Sequence, residues 1–207
     1  MIDHDTEFFK GLLELHYGVD VVDKLKKISY NVGWAHNWPE NDMSFWNAEA
    51  FMWGYKIDKG VRKLIENELS SLKGKNLDVG CGSYSYIKSV GVDFSSKMLQ
   101  FNDNCIEKIE YDLEKGLPSL SGFDSVTAVF VLNYIRNLEV LLGSIKDVLV
   151  KGGVFVCVLY GKELNSWQKQ KEVNSYDFDE WKGVLSRHFN VTCNQKEDLW
   201  FFRCRNV

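Results

Sequence analysis

From residue 76 onward, short runs of strand-forming residues alternate with runs of helical character. The strand-like runs are NLDVG, KSVGVDF, EKIEYDL, FDSVTAVFVL and GVFVCVLY, and the clearest helical run is LEVLLGSIKDVL. Parallel strands need crossover connections of this kind, so the alternation predicts an α/β fold with a doubly wound, mostly parallel sheet. The last two runs, FNVTCNQ and LWFFRCR, are separated by only a short polar segment and predict a hairpin whose last strand runs antiparallel.

The residues before this alternation follow a different pattern. Apolar residues recur there at three- and four-residue spacing in three stretches, which predicts short amphipathic helices. Residues 31–44 contain Trp, Asn, Gly and Pro without periodicity and predict a loop. We therefore predict two parts, a helical, Trp-rich cap over residues 1–73 and one α/β domain over residues 74–207.

The composition narrows the classes of partner. Lys and Arg number 25 against 29 Asp and Glu, and no basic block occurs, which weakens the electrostatic case for binding nucleic acid. No apolar stretch of membrane-spanning length is present, and the N-terminus lacks the features of a secretion signal. The five cysteines are spread apart without metal-ligand spacing. These features predict a cytoplasmic protein that binds small molecules, with no metal site and no indication of oligomeric state.

An apolar strand runs into two closely spaced glycines, Gly80 and Gly82, just after Asp78. Glycines permit a sharp turn and a close approach of the backbone to a ligand, but such turns are common in α/β folds and the motif alone is weak. The next two predicted strands end in Asp93 and Asp112. Because ligands of doubly wound sheets lie beyond the carboxyl ends of strands, Asp93 can accept hydrogen bonds from ribose hydroxyls and Asp112 one from an adenine amino group.

In this order, these residues resemble the class I, Rossmann-like S-adenosylmethionine-dependent methyltransferases. That family has an acidic residue two positions before GxG, an acidic end to its second strand and an Asp after its third, here Asp78, Gly80 and Gly82, Asp93, and Asp112. The resemblance extends through the closing hairpin. It implies S-adenosylmethionine as the cofactor and a seven-stranded sheet of order 3-2-1-4-5-7-6.

The resemblance also implies which residues contact the cofactor. The glycine turn would lie under the methionine part, Asp93 would hold the ribose, and Asp112 with the Leu113 backbone would read the adenine. Phe94 and Met98 would wall the adenine ring, and Val131 would lie near the methionine amino group. The implied cofactor-binding set is Asp78, Gly80, Cys81, Gly82, Asp93, Phe94, Met98, Asp112, Leu113 and Val131.

A nicotinamide dinucleotide is the main rival ligand for a glycine turn in such a sheet. Its GxGxxG motif requires Gly or Ala at position 85, where this chain has Ser85, and Asp78 would repel a pyrophosphate. Only SYSYIK separates Gly82 from the next strand, which leaves a shortened first helix for binding phosphate. The third glycine of the methyltransferase pattern is itself replaced, by Tyr84.

Candidate acceptor residues lie in the cap and after the fourth strand. The cap tryptophans Trp34, Trp38, Trp46 and Trp53 either pack short helices onto the sheet, or some of them line a pocket for a cationic or aromatic acceptor. Trp34 and Trp38 are the substrate-binding candidates among them. Asn133 and Tyr134 follow the strand where this family often places residues that face the substrate. His36 and Tyr134 are candidate general bases, although a surface histidine and a core tyrosine are the plainer interpretations.

The sequence therefore predicts methyl transfer from S-adenosylmethionine to an oxygen or nitrogen of a small-molecule acceptor. Positioning and dehydration of the reactants suffice for this reaction, so no catalytic triad or metal is required. Two alternatives stay open, a methyltransferase acting on protein or RNA, and a regulatory module that binds the cofactor without catalysis. The acceptor itself is not encoded in any motif we identify.

Overall fold

The computed structural model describes residues 3–207, except for the side chains of residues 54 and 55. The helices are α1 (His4–His16), α2 (Val22–Ser29), α3 (Asp42–Lys56), α4 (Lys59–Leu69), α5 (Ser96–Phe101), α6 (Leu138–Val148), α7 (Ser166–Lys171) and α8 (Phe178–Ser186). The strands are β1 (Asn76–Val79), β2 (Ser89–Asp93), β3 (Cys105–Glu110), β4 (Phe123–Val129), β5 (Leu149–Tyr160), β6 (Asn190–Lys196) and β7 (Leu199–Arg205). Across the described chain, no helix combines the length and apolar character needed to cross a membrane.

The strands form one seven-stranded sheet of order β3-β2-β1-β4-β5-β7-β6, as predicted. The pairs from β3 to β5 are parallel, and β7 runs antiparallel to both β5 and β6. The predicted closing hairpin and its antiparallel last strand are therefore confirmed. Because the order reverses direction at β1 and β4, the ends of these strands open a crevice where ligands of such sheets bind.

The central strands are buried on both faces, and polar side chains such as Asn76 and Asp78 are buried together with the apolar ones. All the residues of β1 and β2 are buried, and β4 is exposed only at its second residue. On one face, α6 packs Leu141, Leu142 and Ile145 against the sheet, and α8 adds the fully buried Trp181. Helix α8 begins with a capping box between Asp177 and Glu180.

The helices α1 to α3 share a core of their own around Phe8, Leu25 and Trp38, whereas α4 packs Ile65 and Leu69 against residues of β5 and β7. Helix α4 ends at Leu69, seven residues before β1 begins. The predicted loop over residues 31–44 is partly wrong, since a 3-10 turn spans Gly33–Ala35 and α3 already begins at Asp42. The helix begins there because the Asn41 side chain accepts a hydrogen bond from the Ser44 N–H at 3.0 Å.

Candidate active site

A cavity of about 290 Å³ lies at the carboxyl ends of the central strands, and α3 forms its opposite wall. Residues after β1, β2, β3, β4 and β5 all contribute to the lining. The whole predicted cofactor set lines this one cavity, namely Asp78, Gly80, Cys81, Gly82, Asp93, Phe94, Met98, Asp112, Leu113 and Val131. Residues that are up to 53 positions apart in the chain therefore share a single site of small-molecule size.

The turn after β1 needs its two glycines. Gly80 and Gly82 have φ angles of 63° and 54°, which side chains with a Cβ rarely adopt. A Cβ on Gly80 would lie 2.6 Å from Cγ2 of Val131, so the turn also passes too close to the β4 end for a larger residue. The N–H groups of Gly80 and Cys81 both donate to the Val92 carbonyl, at 2.8 and 3.2 Å. The turn thus folds back onto β2 and leaves its open side to the cavity.

The shortened helix predicted after this turn is absent, since the described chain between β1 and β2 contains only turns. Asn102 takes over the anchoring of this segment. Its amide nitrogen donates to the carbonyls of Cys81 and Gly82 at 3.2 and 3.1 Å and to Oγ of Ser85 at 3.0 Å. Its Oδ1 accepts from the Ser85 N–H at 3.2 Å. A buried side chain therefore satisfies backbone groups that a helix would otherwise pair.

Asp93 is held rigidly at the end of β2. One carboxylate oxygen accepts from the Gly82 N–H at 3.0 Å and the other from the Ser95 N–H at 2.9 Å. The side chain is 4 % exposed, and this burial raises its pKa to about 6 despite the two backbone donors. Each oxygen keeps a further lone pair for a ligand hydroxyl, so the carboxylate can accept the ribose hydrogen bonds that the sequence predicts.

Asp78 is a second buried carboxylate and lies in β1, two residues before Gly80. It accepts a hydrogen bond from Oγ1 of Thr127 at 2.8 Å and is 4 % exposed. Desolvation raises its pKa to about 7, with smaller opposing contributions from hydrogen bonds to Ser85 and Thr127. A buried carboxylate with no cation beside it favours a positively charged ligand, which would restore its ionised form.

The part of the cavity where the sequence analysis expects adenine is formed by residues after β2 and β3. Asp112 caps the short turn that follows β3, because its Oδ1 accepts from the Glu114 N–H at 3.1 Å. Leu113 is buried beside it, and Phe94 and Met98 line the same cavity from the end of β2 and from α5. Apolar side chains and an acidic strand end are thereby brought together, as an adenine-binding subsite requires.

The two predicted acceptor residues after β4 also reach the cavity. The Asn133 amide nitrogen donates to Oε1 of Glu172 and to the Asn174 carbonyl, at 3.1 and 3.2 Å, so this side chain ties the β4 end to the segment before α8. Tyr134 packs edge-on against Trp46, with ring centroids 4.6 Å apart. Burial raises the pKa of Tyr134, which keeps its hydroxyl protonated at neutral pH and argues against a role as general base.

Three predicted residues of the cap lie outside this cavity. His36 has its Nδ1 3.2 Å from the Tyr30 carbonyl and its ring edge-on to the Tyr30 ring. Trp38 is buried in the cap core and stacks on Trp167 at 5.7 Å, and Trp34 donates to the Asp5 carboxylate at 3.1 Å. All three belong to the packing of the cap, because the turn before α3 points them towards α1 and α2 instead of the sheet.

The sequence analysis leaves open which cap tryptophans line a pocket, and it misses that one face of α3 does so. This face carries Trp46, Glu49, Ala50 and Trp53, which lie at the three- and four-residue spacing of one helix surface. The spacing could have indicated this face. The face combines one charged, one small and two aromatic side chains, however, and therefore does not form an apolar stripe. A second missed residue is Phe130, whose φ of 59° is unusual for a bulky residue and is typical of strain at functional sites.

The cap is joined to the cofactor side by hydrogen bonds. Oγ of Ser95 donates to Oδ1 of Asn47, and the Met98 N–H donates to the same Ser95 oxygen at 3.0 Å. Oγ of Ser83 donates to the Ala50 carbonyl at 3.1 Å. Both the glycine turn and the β2 end are therefore attached to α3.

Comparisons with known proteins agree with this geometry. The family model described as "Methyltransferase domain" matches residues 77–157, which run from β1 into β5. No protein with a curated description matches the chain.

Solved structures share the fold at low sequence identity. The complex of DhpI with S-adenosylhomocysteine aligns with a TM-score of 0.64 and 16% identity, covering 79% of this chain and 94% of the other. The N-methyltransferase NodS of Bradyrhizobium japonicum, also solved with S-adenosylhomocysteine, aligns at 0.57 and 15%, covering 74% and 91%. A SAM-dependent methyltransferase of Thermotoga maritima aligns at 0.59 and 16%, covering 78% and 99%. At these identities the likeness shows the fold.

Proposed function

From the premise that this chain is a class I S-adenosylmethionine-dependent methyltransferase, we propose that it transfers the methyl group to an oxygen or nitrogen of a small-molecule acceptor. The observation that carries the proposal is the single cavity that joins the predicted cofactor residues to an aromatic wall on α3. One part of this cavity suits a nucleoside, and the other has room for an acceptor beside it.

The residues of the site fit the cofactor. The absence of Cβ atoms at Gly80 and Gly82 leaves the backbone open to a close-lying ligand, and Asp93 has lone pairs free for ribose hydroxyls. Asp78 offers a buried negative charge to a cationic ligand, and no phosphate-binding helix follows the glycines in the described chain. This charge distribution suits a sulfonium nucleoside better than a pyrophosphate.

When bound, S-adenosylmethionine supplies a methyl group that its positive sulfur already activates. The chain then has to orient an acceptor atom in line with that methyl group and to exclude water. Orientation of this kind lowers a barrier by roughly 7 to 11 kcal/mol without an essential acid or base. Trp46 and Trp53 on α3, with Tyr134 opposite, supply the apolar walls for it.

A small acceptor fits the size and chemistry of the cavity. Its volume of about 290 Å³ is close to the lower limit for small-molecule sites, and its lining includes eight aromatic and seven charged residues. The chain has a net charge of -4, which gives an extended polyanion such as RNA little electrostatic attraction.

Calorimetric titration tests the cofactor assignment. We expect saturable binding of S-adenosylmethionine and S-adenosylhomocysteine, and none of NAD. Asp93→Asn should weaken binding of both ligands at least tenfold, because a charged acceptor of two hydrogen bonds is lost. Asp147→Asn, at an exposed position on α6, is the matched control and should bind like the parent. Binding of NAD alone, or equal affinities in both variants, would refute the proposal.

A further inference from the structure

The acceptor side of the cavity is a box of aromatic rings. Phe130 and Tyr160 stack with centroids 4.2 Å apart and ring planes 11° from parallel, and Trp53 lies 5.8 Å from Phe130. Trp46 and Tyr134 form a second pair at 4.6 Å. All five rings line the cavity and remain partly accessible. Faces of indole and phenol rings attract cations through their quadrupoles, so this box suits a positively charged group.

The charged residues of the lining favour the same sign. Six carboxylates line the cavity, and Arg136 is the one Lys or Arg side chain among the described residues that does so. This guanidinium lies 3.8 Å from Asp42 and 4.0 Å from Glu114, so two of those carboxylates already balance it. An anionic acceptor would meet uncompensated negative charge, whereas a cation would be attracted.

Glu49 places one of these carboxylates inside the aromatic box. It lies on α3 between Trp46 and Trp53, and its side chain is 12% exposed. Oε1 is paired with Lys56, whereas Oε2 is buried and has no hydrogen-bond partner in the described structure. A buried carboxylate oxygen without a hydrogen bond is energetically unfavourable, so a hydrogen-bond donor on a bound ligand would stabilise it.

Tyr86 adds a second polar atom to the same cavity. Its side chain is 8% exposed, and its hydroxyl is likewise buried without a partner among residues 3–207. Tyr84 lies edge-on beside it at 5.3 Å. Two residues that line one aromatic cavity thus carry buried polar atoms without partners, and the carboxylate oxygen among them requires a ligand that donates hydrogen bonds.

We propose that the methyl acceptor is a small amine whose ammonium form is recognised by the aromatic box and by Oε2 of Glu49. This inference rests on the proposed function and specifies its acceptor. An ammonium group fits the aromatic box and the excess of carboxylates because it is cationic, and it fits the unpaired carboxylate oxygen because it donates hydrogen bonds. A neutral alcohol would meet only the hydrogen-bond requirement. A carboxylic acid, which is an anion at neutral pH, would meet none of these requirements.

The same contact accounts for the proton that must leave before transfer. One N–H proton of the ammonium passes to the Glu49 carboxylate, which frees the nitrogen lone pair. The lone pair forms the new N–C bond while the S–CH3 bond breaks and its electron pair returns to sulfur. The product is a methylated ammonium, and Glu49 then releases its proton to solvent. No oxidant, reductant or metal is needed for this balance.

The experiment compares an amine with a neutral analogue of the same shape while S-adenosylhomocysteine, which carries no methyl group to transfer, occupies the cofactor site. 3,3-Dimethylbutan-1-amine and its neutral analogue, 3,3-dimethylbutan-1-ol, are titrated into the protein saturated with S-adenosylhomocysteine. We expect the amine to bind at least tenfold more tightly than the neutral analogue. Glu49→Gln should remove most of that difference and leave the neutral analogue unaffected. Glu139→Gln, at an exposed glutamate of α6 outside the cavity lining, should preserve it.

A transfer assay with methyl-labelled S-adenosylmethionine completes the test, using a panel of primary amines and the matching alcohols and carboxylic acids. Label in amines alone supports the inference. If S-adenosylhomocysteine binds but 3,3-dimethylbutan-1-amine and its neutral analogue bind equally, or if alcohols or acids are labelled and amines are not, the amine assignment is overturned and the proposed function stands. If S-adenosylhomocysteine does not bind at all, the proposed function itself fails.

Discussion

The buried carboxylate of Asp78 should make this protein less stable as the pH rises. Burial raises the pKa of Asp78 from its ordinary 3.8 to about 7. In the unfolded chain the group loses its proton near pH 3.8, whereas the folded chain holds the proton until about pH 7. The stability it contributes is therefore fully present below pH 3.8 and is lost as the pH rises through about 7.

The size of this effect follows from the width of that pH window. Between the two pKa values the folded state binds one more proton, so stability falls by about 1.4 kcal/mol for each pH unit. Over the measurable range from pH 5 to pH 8, the loss amounts to about 3 kcal/mol. Asp78→Asn cannot ionise, and its amide oxygen can still accept the hydrogen bond from Thr127. The variant should therefore gain about 3 kcal/mol relative to the parent over this range.

Urea unfolding of both proteins at several pH values measures this difference. The ligand-free variant should become progressively more stable than the parent as the pH rises, yet it should bind S-adenosylmethionine more weakly, since it lacks the charge that complements a cation. Binding to the parent should tighten up to about pH 7, and this pH dependence should shrink in the variant. A stability difference that does not change between pH 5 and pH 8 would refute the reasoning.

Three further substitutions test other parts of the structure. Gly80→Ala should weaken cofactor binding at least tenfold and lower stability by about 1 to 3 kcal/mol, because its φ is positive and its Cβ would overlap Val131; unchanged calorimetric affinity would contradict this. His36→Gln should leave turnover and its pH profile unchanged once an acceptor is known, because the imidazole lies outside the cavity; a shifted profile would restore it as a candidate base. Asp177→Ala should lower stability in urea by about 1 kcal/mol through loss of the capping box with Glu180, without changing cofactor affinity. No loss of stability would show that this capping box is dispensable.

The strand order and the cofactor side could be predicted because both depend on local sequence signals. The buried strands are short runs that contain Val, Leu and Phe and are bounded by turn-forming residues, and the turn after β1 must contain glycine where φ is positive. The positions of the acidic residues Asp93 and Asp112 can be predicted from where β2 and β3 end. Once a parallel sheet is assumed, its connectivity brings those ends to one edge, so Asp93 and Asp112 reach the same cavity.

The acceptor side was not predictable in the same way, because it depends on how the cap sits on the sheet. Trp34 and Trp38 have the same composition signal as Trp46 and Trp53, yet only the second pair faces the cavity. The difference is set by the start of α3 at Asp42, which Asn41 fixes through a single capping hydrogen bond. A cap that begins a few residues earlier or later would rotate a different face towards the strand ends.

The hydrogen bonds that attach α3 to the glycine turn and to the β2 end have a kinetic consequence. Because Ser83 and Ser95 both donate hydrogen bonds to α3, any movement of this helix away from the strand ends must break those bonds. We expect such a movement to accompany entry and exit of the cofactor, since α3 forms one wall of the cavity. Substitutions at these two serines should therefore change the residence time of the cofactor more than its equilibrium affinity.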